Sequence, residues 1–193
     1  MGLTDYKKKR KFDKTPEPPA ESRSPERSRR ANKKLAFVVQ KHHATQLHYD
    51  FRLEMDGVLK SWAIPKGPTM DPKVKRLAMM VEDHPYDYKD FEGVIPEGNY
   101  GAGKVIVWDK GWHEIDIQAP DWPKTFKEGF KRGELKFILH GKKLKGSFAL
   151  IKTPYMGKTA WLFIKHRDKY ATTKDITKDG KSVISGKDVE EIS

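Results

Sequence analysis

Hydrophobic and polar residues alternate from Leu47 to Glu54, and this alternation predicts a β-strand. Four apolar and four polar residues occupy opposite parities, respectively Leu47, Tyr49, Phe51 and Leu53, and His48, Asp50, Arg52 and Glu54. Side chains two positions apart on a strand point to one face, about 7 Å from each other. We therefore expect one face in a core and one face open to solvent. The open face carries an imidazole, a carboxylate and a guanidinium in succession.

Apolar and β-branched runs elsewhere predict further strands. With the first, they span residues 35–41, 47–55, 58–64, 76–83, 104–108, 112–117, 134–140, 145–152 and 159–166. Asp56-Gly57 is typical of a two-residue hairpin turn, because both central positions of a type I′ turn require positive φ. The glycine-rich run 96–103 precedes a strand rather than a helix, so it indicates a tight turn and not a phosphate-binding loop.

One helix is predicted over residues 121–132. Asp121 suits its N-cap, Pro123 its first turn and Gly133 the position after its end. Trp122, Phe126 and Phe130 recur on one side. These elements together favour a mainly β fold, a compact antiparallel β-barrel of about eight strands with one short helix. Residues 1–34 lack hydrophobic periodicity and form a basic, Pro/Ser-rich N-terminal arm, and residues 35–193 form the barrel domain.

Charge points to a polyanionic partner. The 193 residues carry a net charge of +12, and the arm alone has 12 lysines and arginines against 5 acidic residues. The alternative for such an arm is a disordered tail that binds nothing. The chain has no cysteine, so a metal site would use histidine, carboxylate or water. The chain has no apolar run of membrane-spanning length and no apolar signal core, so we expect a soluble, cytoplasmic protein.

His42, His48 and Asp50 are candidate metal ligands. His48 and Asp50 share a strand face, and His42 ends the preceding apolar run, within reach of both. Two histidines and one carboxylate leave positions open for water and substrate on a divalent metal. The alternative is that the histidines are surface or hydrogen-bonded residues and that Asp50 pairs with Arg52.

Four further cationic or titratable side chains suit a phosphate group. Arg52 shares the face of the proposed ligands, and its planar fork binds two phosphate oxygens. Lys66 and Arg76 are either phosphate contacts or ordinary surface cations. His84 is a candidate general acid, because its ordinary pKa lies near neutrality. The hydroxyl of Tyr88 is a candidate too, although loop tyrosines commonly cover a core edge.

Three segments together carry a family resemblance: QKHHATQLHYDFRLEMDGVLKSWAIPKGP, KRLAMMVEDHPYDYKDFEGVIPEGNYGAGKVIVWDKG and LKFILHGKKLKGSFALIK. They closely resemble the 3′-phosphoesterase domain of bacterial and archaeal DNA ligase D, in a stand-alone form. The resemblance implies a β-barrel enzyme that uses a divalent metal, preferably Mn²⁺ although Co²⁺ or Zn²⁺ also suit. It implies removal of a 3′-terminal ribonucleoside and then of the 3′-phosphate, which leaves a 3′-OH for ligation in double-strand-break repair by non-homologous end joining.

The resemblance also implies site residues. His42, His48 and Asp50 match the family's metal ligands. Its catalytic and phosphate-side positions are matched by Arg52, Lys66, Arg76, Glu82, His84 and Tyr88. In the arm, Arg10 and Glu17 match substrate-binding residues, whereas Lys11 stands where an aspartate is expected. The implied partners are DNA primer–template or DNA/RNA 3′ ends, a separate ligase and polymerase, and a Ku-type end-binding protein, at the nucleoid.

Two rival functions remain open at this level. A basic barrel that holds DNA ends without catalysis explains the charge but not the convergent His/Asp/Arg face. A metal-dependent nuclease would cut inside strands, so 5′-labelled primers would show internal products. Manganese-stimulated release of inorganic phosphate separates the first rival from the enzyme.

Overall fold

The computed structural model describes residues 3–21, 34–117 and 123–193, which form two α-helices and ten strands. The helices are α1, Leu3–Lys9, and α2, Phe126–Arg132. The strands are β1 Leu35–His43, β2 Leu47–Met55, β3 Val58–Ile64, β4 Lys75–Met80, β5 His84–Pro85, β6 Gly93–Ile95, β7 Gly103–Ile115, β8 Glu134–Gly141, β9 Lys145–Lys152 and β10 Ala160–Lys165. Short 3₁₀ helices cover Tyr86–Asp90, Ile176–Lys178 and Val189–Glu191.

Eight of these strands close into an antiparallel barrel. Their order is β1-β2-β3-β4-β10-β9-β8-β7, and β7 pairs with β1 to complete the ring. The short strands β5 and β6 pair outside the ring with β3 and β7. The predicted eight-stranded barrel is therefore confirmed. Asp56 and Gly57 both have positive φ, 49° and 82°, as the predicted β2–β3 turn requires.

The barrel interior holds one large apolar core. Its members include the apolar residues of β2, namely Tyr49, Phe51 and Leu53, which confirms that parity as the inner face. Leu47 has the same parity but is 44% exposed, because it lies at the end of the strand. Phe126 and Phe130 of α2 pack against this core. No helix in the described part of the chain is long and apolar enough to cross a membrane.

The outer face of β2 is not open to solvent, contrary to the prediction. Asp50, Arg52 and Glu54 are all buried. A second apolar cluster lies on this side of the barrel and consists of Tyr6, Val38, Leu59, Tyr88, Phe91, Ile95, Val105 and Val107. Alternation shows only that one face is polar, and here residues distant in sequence cover that polar face.

The N-terminal segment contributes a helix that was not predicted. Tyr6 is the one buried residue of α1, so the helix has no apolar stripe. The Tyr6 ring packs edge-on against His84 and Tyr88, and its hydroxyl donates to the carbonyl of Pro18 at 2.7 Å. Residues 3–21 are therefore docked onto the barrel by a few side chains.

Strand β7 joins two segments that the sequence indicated as separate strands. Asp109-Lys110-Gly111 resembles a turn, but Gly111 pairs with Gly141 inside the ladder. A Cβ at Gly111 would lie 2.1 Å from the carbonyl oxygen of His140, so the glycine permits close approach of β8. Asp109 accepts backbone N–H groups from the 142–144 turn instead of making a turn of its own.

The predicted helix begins later than expected. Thr125, not Asp121, caps α2, and its hydroxyl accepts the N–H of Glu128 at 3.2 Å. Pro123 precedes the helix, and Asp121 and Trp122 lie outside the described residues. Gly133 has φ 79° and ends the helix as predicted. Strand β4 also stops at Met80 rather than continuing to residue 83.

Candidate active site

Two histidines and one aspartate converge beside the turn of the β1–β2 hairpin. His42 on β1 lies directly opposite His48 on β2, and Asp50 follows two residues later. One ligand atom from each lies within 4.8 Å of the others. His42 Nδ1 is 3.5 Å from Asp50 Oδ2, and His48 Nε2 is 3.8 Å from Asp50 Oδ1. The structure therefore brings together the three residues that the sequence suggested as metal ligands.

Backbone carbonyl groups orient both imidazoles. His42 Nε2 lies 2.9 Å from the carbonyl oxygen of Gly101, and His48 Nδ1 lies 3.0 Å from that of Gln46. A carbonyl oxygen only accepts hydrogen bonds, so each of these nitrogens carries a proton. In a neutral ring the other nitrogen, which faces Asp50, has a free lone pair. A metal-binding histidine is commonly held in this way.

The Arg52 guanidinium lies beside this cluster. Its Nη2 donates to Asp50 Oδ2 at 3.2 Å, and its Nε donates to Gln40 Oε1 at 2.8 Å. Nη1 is buried and has no hydrogen-bond partner among the described residues. Burial alone would raise the pKa of Asp50, but the Arg52 charge and the two histidines lower it well below its ordinary value. An unpaired donor therefore stands next to an ionised carboxylate.

The arm contributes Arg10 to the same site. Its Nε donates to Glu17 at 2.8 Å and its Nη1 to Glu82 at 3.0 Å, and all three residues are buried. Lys9 forms a second ion pair with Glu82 at 3.0 Å. Lys11, which stands where the resemblance implies an aspartate, is exposed and does not line the cavity formed here.

His84 is buried and uncharged in this network. Its Nδ1 donates to the carbonyl of Glu82 at 2.9 Å, and its Nε2 accepts from Arg10 Nη2 at 3.2 Å. Burial, followed by the charges of Arg52 and Arg10, lowers the pKa of His84 well below its ordinary value. Nearby, Tyr88 donates its hydroxyl to Glu17 at 2.9 Å, and burial together with the Glu17 charge raises the pKa of Tyr88.

These side chains line one cavity of about 350 Å³. Most of the residues that the sequence or the resemblance assigned to a site lie on its surface, namely Arg10, His42, His48, Asp50, Arg52, Glu82, His84 and Tyr88. Glu17 lies behind them, in the wall that holds Arg10. The set is assembled from the arm, the first hairpin and the segment after β4.

Lys66 and Arg76 are not among the described residues that line the cavity. Lys66 is exposed in the turn after β3, and Arg76 lies on β4 with the parity of the core residue Ala78. Hydrogen bonds from Thr177 lower the pKa of Asp175, and the Arg76 charge contributes in the same direction. The Arg76 charge therefore acts on the segment around Asp175, and neither Arg76 nor Lys66 is among the residues that line the cavity.

Sequence reasoning missed Gln40, Lys9, Tyr100 and Gly101. Gln40 is fully buried, and its amide donates to the carbonyls of Tyr88 and Phe91 while its oxygen holds Arg52. A single amide within an apolar β1 run was an available signal for Gln40. The contributions of Lys9 and Gly101 depend on contacts across more than 50 residues, which local pattern does not reveal.

The remaining histidines are not part of the metal cluster. The exposed His43 pairs with Glu190 at 2.5 Å, and His140 stacks on Trp112. His113 is buried in the barrel, and His166 bonds Ser147 at 2.8 Å. These contacts are structural in character.

Comparison with known proteins gives consistent matches. A family model described as DNA Ligase D 3′-phosphoesterase domain matches residues 40–152. The multifunctional non-homologous end joining protein LigD of Pseudomonas aeruginosa is 51% identical over 175 residues, which is 90% of this chain and 19% of that protein. The LigD protein of Mycobacterium tuberculosis is 46% identical over 151 residues, which is 78% of this chain and 18% of that protein. The LigD protein of Mycolicibacterium smegmatis is 41% identical over 168 residues, which is 86% of this chain and 21% of that protein. The chain spans about a fifth of the length of the curated relatives it matches.

Proposed function

The chain belongs to the DNA ligase D 3′-phosphoesterase domain family, and from this membership we propose that it heals DNA 3′ ends. In this proposal it removes 3′-terminal ribonucleosides and 3′-phosphates, leaving a 3′-OH for ligation during non-homologous end joining. The observation that supports it best is the convergence of His42, His48 and Asp50 beside the unpaired Nη1 of Arg52.

The donor set fits a divalent first-row cation. Two imidazole lone pairs and an ionised carboxylate face one point, and the carbonyls of Gly101 and Gln46 hold the rings in that orientation. We propose Mn²⁺, with Co²⁺ and Zn²⁺ as alternatives compatible with the same donors. When bound, such an ion supplies Lewis-acid polarisation of a phosphate oxygen.

The protein side chains then bind and orient the phosphate. Arg52 has a free Nη1, so it can donate to a phosphate oxygen without leaving Gln40 or Asp50. Its charge stabilises the oxygens on which negative charge accumulates in phosphoryl transfer. Arg10 faces the same cavity from the arm. Lys66 and Arg76 remain proposed contacts for the phosphate or the DNA strand, approached from outside this cavity.

His84 acts in this proposal as a positioning group rather than as a resting proton donor. Its Nε2 accepts from Arg10, so it carries no proton that could pass to a leaving oxygen. The Nδ1–H is committed to the carbonyl of Glu82. Together these bonds fix Arg10 toward the cavity, while Tyr88 fixes Glu17 behind it.

The expected substrates are DNA or DNA/RNA 3′ ends in a primer–template, and the expected partners are a ligase, a polymerase and a Ku-type end-binding protein. A basic arm beside the cavity supports a polyanionic substrate. The relatives are named as non-homologous end joining proteins, which supports the same assignment.

His48→Ala tests the proposed function. We expect it to abolish manganese-stimulated release of phosphate from a 3′-phosphate primer–template, because it removes one of three ligands. His43→Ala is the matched control, since His43 is the neighbouring exposed histidine and bonds Glu190 instead. Circular dichroism checks that both variants fold.

Three results would overturn the proposal. Undiminished phosphate release by His48→Ala would remove the metal site. DNA binding without phosphate release by the unmodified protein, in any of Mn²⁺, Co²⁺ or Zn²⁺, would favour an end-binding module. Internal cuts in a 5′-labelled primer would favour a nuclease.

A further inference from the structure

A second cavity of about 280 Å³ adjoins the candidate active site. The two cavities share three lining residues, Val81, Glu82 and Tyr100. The second is completed by the side chains of Asp5, Lys9 and Met80. It therefore begins where the phosphate pocket ends, on the side away from the histidine cluster, and it combines an aromatic ring with apolar and charged groups.

Tyr100 stands at the boundary of the two cavities and is held there by the arm. Lys9 Nζ lies 3.2 Å from its hydroxyl and 4.3 Å from its ring centroid, and the Arg10 guanidinium lies 5.6 Å from the same centroid. Lys9 is itself fixed by Glu82 at 3.0 Å. Even so, 47% of Tyr100 is exposed. The contacts with Lys9 and Arg10 therefore leave part of the ring open to a ligand.

We propose that this second cavity is a nucleoside pocket, in which the base of the departing 3′-terminal nucleoside stacks on Tyr100. The proposal rests on the proposed function, because it needs a phosphodiester held by Arg52 and the His/Asp cluster. The nucleoside attached to that phosphate then extends past Glu82 into the adjoining cavity. Met80 and Val81 supply apolar surface, and Asp5, Lys9 and Glu82 supply partners for sugar hydroxyls.

The reaction that uses this pocket is a hydrolysis. A water oxygen forms a bond to phosphorus, and the bond from phosphorus to the nucleoside 5′-oxygen breaks. That oxygen takes a proton, and the nucleoside leaves as an alcohol, while the primer keeps a 3′-phosphate. Removal of the 3′-phosphate releases no nucleoside and therefore does not fill the pocket.

Stacking on one ring predicts a particular specificity. Every base has a π-face, so the pocket should require a base without selecting among the four. A base that enters the pocket must also leave its partner in the template, as in other enzymes that act on an extruded nucleotide. A mismatched terminal ribonucleotide should therefore be removed faster than a paired one.

Three substrates test the pocket: a primer with a 3′-ribonucleotide, the same primer with an abasic 3′-ribose, and a 3′-phosphate primer. Loss of the base should lower kcat/KM of the unmodified protein by about 5- to 150-fold, the range for one stacked base. Tyr100→Ala should lower kcat/KM on the intact ribonucleotide by a similar factor and cause no further loss on the abasic end. Tyr100→Phe should retain most of the activity because it keeps the ring.

The ratio of ribonucleoside removal to phosphate release separates this role from a structural one. Tyr100 precedes Gly101, whose carbonyl orients His42, so a loop defect would lower both activities and leave the ratio unchanged. An unchanged ratio in Tyr100→Ala, or equal losses of kcat/KM by this variant on the intact and abasic ends, would overturn the nucleoside pocket but not the proposed function. An unmodified protein inactive on every 3′ end would overturn the proposed function with it. Tyr155→Ala, at a ring that is 92% exposed on the β9–β10 connection, is the control.

Discussion

At the scale of single residues, backbone carbonyls control the chemistry of the histidine cluster. Gly101 and Gln46 each accept one imidazole N–H, which leaves the other nitrogen of His42 and His48 free to bind a cation. Neither acceptor is a side chain, so no residue type in the sequence reveals it. The alternation of β2 did reveal that His48 and Asp50 share a face, because parity depends only on position along the strand.

His113 gives a prediction about acid stability. It is fully buried, and its Nε2 donates to the carbonyl of Glu54 at 3.2 Å. Burial lowers the pKa of His113 to about 3, although this hydrogen bond opposes the shift. The unfolded chain thus binds a proton that the folded chain excludes. The contribution of neutral His113 to the free energy of unfolding should be fully present above pH 6.5. It should fall by up to about 1.4 kcal/mol per pH unit as the pH decreases from 6.5 toward 3.

Urea unfolding of the unmodified protein and of His113→Gln at pH 7 and pH 5 measures this contribution. The pKa of His84 is lowered as well, so His84 contributes to the loss of stability in both proteins. The difference between the two proteins in their change of unfolding free energy from pH 7 to pH 5 therefore isolates the contribution of His113. We expect the variant to lose less stability on acidification. His140→Gln, at a half-exposed histidine stacked on Trp112, serves as the control. Identical pH dependence in His113→Gln and the unmodified protein would contradict the prediction.

At the scale of elements, the arm has two different faces. The side chains of Tyr6 and Arg10 are buried against the barrel, whereas Lys7, Lys8 and Lys11 are exposed. Deletion of the arm would therefore expose an apolar cluster and leave Glu82 without its two cationic partners, in addition to removing positive charge. Substitution of the exposed lysines alone separates DNA attraction from the docking of α1.

The triple variant Lys7→Ser, Lys8→Ser and Lys11→Ser should bind DNA with a weaker salt dependence. Each lysine that neutralises a phosphate adds about 0.9 to the slope of log K against log salt, so removal of three should reduce the slope by up to about 2.7. Fluorescence anisotropy with a primer–template at several salt concentrations measures the slope. Lys127→Ser with Lys131→Ser on α2 is the control for loss of helix-borne charge, and an equal fall in slope per lysine there would argue against a specific role for the arm.

The pairing of β2 with β3 was accessible from the sequence, but element boundaries were less so. The hairpin turn at Asp56-Gly57 could be predicted because its two residues tolerate positive φ. Gly111 led to the wrong prediction of a break in β7, because in sequence a glycine that allows close approach to His140 cannot be distinguished from a turn glycine. Helix α1 gave no periodic signal, since it is anchored mainly by Tyr6 and by ion pairs near its end.

At the scale of the whole molecule, the site lies between the barrel and its outer layer. The many short strand segments with turns between them were enough to predict an antiparallel barrel, because such strands have an apolar face to bury. The outer layer was not predicted, since it consists of the arm, the 84–95 segment and their mutual contacts. Glu82, for example, bonds to Arg10 across 72 residues. His42, His48, Asp50 and Arg52 could be grouped from local pattern, and the placement of the other site residues beside them required the resemblance or the structure.

Metal binding should stabilise the whole barrel, because the proposed ligands bridge β1 and β2 while β1 also closes the ring with β7. A cation at about 100 times its Kd stabilises the folded state by about 2.7 kcal/mol, or roughly 5 to 10 °C in Tm for a chain of this size. Thermal unfolding in Mn²⁺ and in a chelator measures the shift. His43→Ala should retain it, and His48→Ala should lose most of it. An equal shift in His48→Ala would place the stabilising cation elsewhere, even if that variant were inactive, because Tm reports binding independently of catalysis.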